Sequence, residues 1–412
     1  MLLMVCRAPG YSVLTHEAVI DAVWKDSIVP TLLKKFPNAT PDDLRKAHAY
    51  VYGGAIIQDM GYYPFDSKFF SDLAHYVRSG DFVVNLISEA VNLNEYAFAI
   101  GSLAHYVGDN DGHPIAVNRV VPMVYPKLKR KFGALVTYED SPFSHLRVEF
   151  SFDVVEVAQG HFAPQAYHDF IGFEVSKPVL ERAFAKTYSL ELPSLLFSED
   201  LALGTYRHTV ASILPAMTKA AWNLKKDDIR KAHPTMTKRR YIYNISRASY
   251  RKEWGNLYER PGFFARLLSF LFRLIPKVGP FRAFAFQPTP PAGQTLFMRS
   301  FNESLSRYRR LLADARQGSL RLRNRNFDTG GDVVPGEYHL ADDTYAELVD
   351  KLKGKPVSPE LRANILSFYA NPEAPIATKK KHKKWRKLLA ELQALRANGS
   401  PAHEAAGSGE TH

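Results

Sequence analysis

Residues 93–118 read LNEYAFAIGSLAHYVGDNDGHPIAVN. The first part, through Asn110, is apolar and rich in small residues, as a helix enclosed by other helices must be. Along it, His105, Asp109 and His113 recur at intervals of four. Side chains four apart on a helix share a face and lie about 6 Å apart along the axis. His105 and Asp109 therefore present an imidazole and a carboxylate to one point. Pro114 follows directly. Proline disfavours helical conformation in the residue before it, so the helix is expected to end or kink at His113.

The pattern continues away from this stretch. His145 and Glu149 repeat the four-residue interval in HLRVE. His75 sits in LAHYV, the context that recurs at His105. Asp59 follows the buried-looking run GGAII, and His16 opens the first long helical segment. A lone histidine on an apolar face is more often a satisfied core residue than a ligand. Burying this many ionisable groups without a cation would cost several kcal/mol each. A set of divalent metals removes that cost, with ligands near ~2 Å. Cys6 is the sole cysteine, which excludes internal disulfides and cysteine-based metal sites. Any metal must be held by His, Asp and Glu.

The chain has 412 residues, of which 46% are hydrophobic, enough for a real core. No run approaches the roughly 20 apolar residues of a membrane span. The net charge of +12 is unevenly spread. Residues 1–200 carry 17 Lys+Arg against 24 Asp+Glu, whereas residues 201–412 carry 37 against 18. An acidic half that holds cations and a basic half that faces an anionic partner would account for this split.

Residues 16–230 read as mostly helical, without an alternating strand pattern or an internal repeat. THEAVIDAVWKDSIVPTLLKKF starts at a Thr15 cap candidate, and Thr40-Pro41 is an N-cap followed by proline at the first helical position. Further helical patterns cover 295–317 and 341–370, and KKKHKKWRK (379–387) leads a last short helix. The aromatic and basic segment 260–286 reads as core packing for its apolar residues and as a membrane-facing surface for its charges. A face for single-stranded nucleic acid is the third reading. The organisation expected is a leader remnant over 1–10, a catalytic domain over 11–230, a basic helical extension over 231–396 and a disordered tail over 397–412.

HYVGDNDGHPIAVN resembles the signature of the zinc-dependent phospholipase C superfamily, which also contains single-strand-specific nucleases and a phospholipase D acting on glycosylphosphatidylinositol anchors. The order His16, Asp59, His75, His105, Asp109, His113, His145 and Glu149 matches the family's order of ligands. The resemblance covers residues 11–230. It implies an all-α, multi-helix bundle around a buried zinc cluster, with about three Zn²⁺ per chain. Asp59, His75, His105 and Asp109 would hold the first ion, and His113, His145 and Glu149 the second. The third would take His16, a bridging Asp109, and the backbone amine and carbonyl of a mature N-terminus at Tyr11. A free amine there requires removal of residues 1–10, so export to the periplasm or the medium is expected, with the protein peripheral to a membrane. Tyr11 departs from the family's usual tryptophan. The interval from Asp109 to His113 is shorter than usual and resembles the glycosylphosphatidylinositol-cleaving branch. Met60 follows the early aspartate in place of an aromatic, with Tyr62 and Tyr63 close by as candidates for an aromatic cage.

The activity implied is phosphodiester hydrolysis by metal-activated water, most directly a phospholipase C acting on phospholipids at a membrane surface. Asp59 is the candidate catalytic residue, as general base or as ligand only. Two alternatives stand beside it: a nuclease with the same metals and nucleic acid as substrate, and a non-enzymatic zinc-containing protein of the envelope or membrane surface. The His168-Asp169 dyad reads as structural, and His48, His161 and His208 as packing or surface residues.

Overall fold

The computed structural model describes residues 13–62, 67–159, 174–196 and 289–397, with 222, 226–227 and 237–238 besides. Tyr11, the His168-Asp169 dyad, His161, His208 and the segment 260–286 lie outside the described residues. The first half contributes α1 (Val13–Val23), α2 (Val29–Lys35), α3 (Pro41–Ile56), α4 (Lys68–Tyr76), α5 (Ser79–Glu89), α6 (Leu93–Gly112), α7 (Asn118–Val124), α8 (Pro126–Phe132), α9 (Pro142–Gln159) and α10 (Lys177–Tyr188). The second half contributes α11 (Pro291–Gln317), α12 (His339–Lys351), α13 (Pro359–Phe368) and α14 (His382–Ala397). The fold is all-α: among the described residues there is no strand, only an isolated bridge between Arg325 and Asp332. No described helix is long and apolar enough to cross a membrane.

Local chemistry explains most helix ends. The Thr40 hydroxyl accepts the Asp43 N–H at 3.2 Å, and the Asp43 carboxylate accepts the Thr40 N–H at 3.0 Å. This reciprocal cap, with Pro41 at the first position, starts α3 as expected. The pattern over 341–370 divides into α12 and α13 at Gly354, whose φ of +70° is left-handed. Thr15 is not the cap of α1. The helix begins at Val13, and Asp153 of α9 accepts the N–H groups of Leu14 and Thr15, both at 3.1 Å. A carboxylate brought by tertiary packing thus complements the positive end of α1.

α6 ends at Gly112 with His113 as its C-cap, as expected, but the helical path runs on past Pro114. Residues His113–Val117 widen into a π-helical turn, in which the Asn118 N–H reaches the His113 carbonyl five residues back. The wider turn absorbs the missing N–H of Pro114, and α7 continues beyond it.

The close crossing of α3 and α6 sets the centre of the bundle. A Cβ on Gly54 would lie 1.8 Å from the Phe98 carbonyl oxygen, and one on Gly101 would lie 2.0 Å from that of Val51. Only glycine permits this approach. The main core then spreads from α1–α6 and α10 to Tyr308 and Leu312 of α11, Phe327, and the apolar faces of α12, α13 and α14. Tyr308 donates its hydroxyl to the Ile100 carbonyl at 2.7 Å, and Tyr106 donates to that of Arg323 at 2.9 Å. α11 and the segment after it therefore pack on the same helix that carries the His/Asp stripe.

Gly101→Ala should lower stability by about 1–3 kcal/mol, the usual cost of overpacking a well-filled core. Thermal unfolding of the variant checks this; an unchanged melting temperature would mean that the helices are not in backbone contact.

Candidate metal centre

Asp109 lies at the middle of the site and is fully buried. Its Oδ2 is 3.1 Å from His105 Nε2 and 3.4 Å from His75 Nε2. Its Oδ1 is 3.3 Å from His16 Nε2 and 4.0 Å from His113 Nε2. His16 comes from α1 and stacks on the His105 ring, with centroids 4.4 Å apart. His75 comes from α4, and Asp59 from the tight 3-10 turn that follows α3. Asp59 Oδ1 is 3.3 Å from His75 Nε2. His145 and Glu149 face each other on α9, with Nδ1 and Oε1 2.5 Å apart. Tertiary folding therefore brings His16, His75, His105 and His113 against Asp109, with Asp59 beside His75 and the His145–Glu149 pair beside His113.

Two subsets meet the spacing needed to hold a cation. Asp59, His75, His105 and Asp109 form the first, and each of them is buried. The second is His113, His145 and Asp328, where the resemblance implied Glu149 as the third member. Glu149 remains adjacent through its contact with His145. Asp328 is a residue that sequence reasoning missed. It lies in the turn NFDTGGD, where Asn326 Oδ1 accepts the N–H of Asp328 at 2.9 Å. Such a segment reads as an Asx turn, and nothing local marks it as part of a site.

The imidazoles are held from behind. His105 Nδ1 pairs with the Ala55 carbonyl at 2.9 Å and His75 Nδ1 with the Ser71 carbonyl at 2.7 Å. A carbonyl can only accept, so both rings carry their proton on Nδ1 and aim Nε2 inward. Hydrogen bonds of this kind fix the ring and tautomer of metal-ligating histidines.

The donor set fits zinc. His75 Nε2 and His105 Nε2 face each other at 3.4 Å. Ligand nitrogens about 2.0–2.1 Å from a tetrahedral ion are separated by roughly 3.3–3.4 Å. The Asp59–His75 and Asp109–His75 contacts share that spacing. Asp59 Oδ1 and His113 Nε2 are buried without a hydrogen-bond partner, as atoms reserved for a cation would be.

The electrostatics agree. Burial and the neighbouring His105 lower the His16 pKa, against the pull of Asp109. For His75, burial favours the neutral ring, but Asp109 and Asp59 outweigh it and push the pKa up to about 10. Burial is likewise outweighed at His145, where Glu149 and Asp328 raise it to about 9. Burial opposes ionisation of Asp109, yet His105 and His113 hold it well below the usual carboxylate range. Burial raises Glu149.

The family model for zinc-dependent phospholipase C matches residues 15–196. This segment belongs to that family. The matched span includes all eight gathered residues. No curated protein and no solved structure matches the chain. The match supports a phospholipase C-like hydrolase chemistry for this segment. His105 and Asp109 of α6 lie within the matched segment, whereas Asp328 lies beyond it.

Without metal, His75 and His145 carry protons at neutral pH, because their pKa values stand at about 10 and about 9. Zinc needs the neutral ring, so loading the metal-free protein at pH 7 should release protons and bind more tightly as pH rises from 7 to 9. Calorimetric titration in buffers of different ionisation enthalpy measures this. Zinc uptake with no proton release across that range would remove both histidines from the ligand set.

Proposed function

We propose that the chain is a phospholipase C that hydrolyses the phosphodiester of a phospholipid, releasing diglyceride and a phosphorylated headgroup. The observation that carries this reading is the buried cluster around Asp109, assembled from the family's residues at ligand spacing. Asp59, His75, His105 and Asp109 would hold one zinc, and His113, His145 and Glu149 a second. A third would lie between His16 and the mature N-terminus at Tyr11. The placement of His16 on the Oδ1 side of Asp109, opposite the His75 and His105 contacts on Oδ2, supports Asp109 as the bridge. Export with removal of residues 1–10 belongs to the same reading.

Zinc supplies Lewis acidity, polarising phosphoryl oxygens and making water a competent nucleophile near neutral pH. The protein supplies position and proton transfer. His75 and His105, anchored through Nδ1, keep Nε2 fixed at the site. Asp109 keeps its charge in a dry environment, where it acts over short distances at low dielectric. Asp59 is the most exposed of the eight, at 6%. We assign its second carboxylate oxygen to take the proton of the attacking water, while Oδ1 faces the cluster as the ligand atom.

The test is direct. Metal analysis of the mature protein should find about three zinc ions, and phospholipid vesicles should yield diglyceride. Asp59→Asn should reduce turnover by about 10²–10⁴, the range for a lost general base. Asp109→Asn should lose metal and turnover together. Release of nucleotides from single-stranded DNA or RNA, with no diglyceride, would replace this substrate by the nuclease alternative. Bound zinc without either activity would leave a zinc-containing binding protein.

A further inference from the structure

We infer that Asp328, supplied by the C-terminal half, is a positioning residue of the metal centre: it orients His113 so that Nε2 faces the cluster. The inference rests on the metal reading above, and it concerns a residue outside the segment that the family model matches.

The geometry at His113 carries it. Asp328 Oδ1 is 2.9 Å from His113 Nδ1. An ionised carboxylate can only accept, so the ring proton sits on Nδ1. That leaves Nε2 as a lone pair, buried and without a hydrogen-bond partner, on the side of Asp109. The neighbouring ligand is held in a similar way. His145 turns Nδ1 to Glu149 and has Nε2 2.6 Å from Asn118 Oδ1, with Asp328 Oδ1 at 3.4 Å behind it. His75, His105 and His113 thus each meet a fixed acceptor on Nδ1 and turn Nε2 to the cluster, while His145 is held on both nitrogens. Asp328 does for His113 what backbone carbonyls do for His75 and His105.

Asp328 is itself held rigidly. Its Oδ2 accepts the Tyr138 N–H at 2.9 Å and the Tyr338 hydroxyl at 2.8 Å. Its carbonyl accepts from Asn118 Nδ2 at 2.7 Å. The preceding residue is anchored too: the Phe327 N–H reaches the His75 carbonyl at 3.2 Å, and its ring packs on His75 and His105 with centroids 5.2 and 6.0 Å away. A carboxylate with this many fixed donors has no freedom to swing between the roles of ligand and anchor. Its bond to Nδ1 makes it the anchor. Carboxylate–histidine pairs of this type typically change metal affinity 10–100-fold when broken.

The experiment compares the full chain with Asp328→Asn and Tyr338→Phe. Zinc affinity is measured by competition with a chromophoric chelator, and thermal unfolding of the metal-free proteins separates folding from binding. Asp328→Asn should bind one zinc about 10–100-fold more weakly. Tyr338→Phe removes a hydrogen bond to the same carboxylate without touching His113, and should weaken zinc binding by less than Asp328→Asn does. Long-range ¹H–¹⁵N spectra of histidine-labelled wild type, loaded with Zn²⁺, read the tautomer without any substitution: His113 should carry its proton on Nδ1. A proton on Nε2, or unchanged zinc affinity in Asp328→Asn, overturns the assignment while leaving the metal reading intact. A wild-type chain that binds no zinc overturns both.

Discussion

A carboxylate without access to water is the constraint on which the structure depends. Asp109 is sealed inside the bundle, and removing a charge from water costs several kcal/mol even after the protein relaxes. The cost is offset only by groups that reach its two oxygens. His75 and His105 approach one, and His16 and His113 the other. These come from α1, α4, α6 and the π turn, so the arrangement of those elements is tied to one residue. The same desolvation that makes the cluster costly without a cation makes it selective for one, because a divalent metal stabilises every carboxylate and neutral imidazole at once.

Bringing the helices that close requires small residues at their crossing. Gly54 and Gly101 let the backbones of α3 and α6 touch. That contact puts the Ala55 carbonyl behind His105 and sends the chain after α3 into the tight turn that carries Asp59. Packing and site are therefore one feature. A bulkier seam would separate the helices, release the His105 ring, and move Asp59 away from His75.

The role of the second half follows from the same economy of space. The first half supplies most of the atoms that could hold a cation. Residues after 289 supply part of what holds them: Phe327 against His75 and His105, Asp328 against His113 and His145, and Tyr338 against Asp328. The excess positive charge of this half does not exclude it from the core, since its apolar faces join the main hydrophobic cluster.

The sequence alone determined the helical class and put forward eight candidate residues, six of which lie in the two groups that could hold a cation. Both are written in short-range periodicity: intervals of four place His105 with Asp109 and His145 with Glu149 on shared faces, and capping signals such as Thr40-Pro41 mark where helices begin. It misjudged Thr15 as a cap, because that outcome depends on a partner that no local pattern encodes, and it did not foresee the π-helical turn that follows the expected end of α6. Tertiary structure decided the rest. Asp153 caps α1 from 138 residues away, and Asp328 reaches His113 across 215. Such contacts are specified by how faces pack over the whole chain, and an aspartate in a turn carries no local mark of the histidine it will meet.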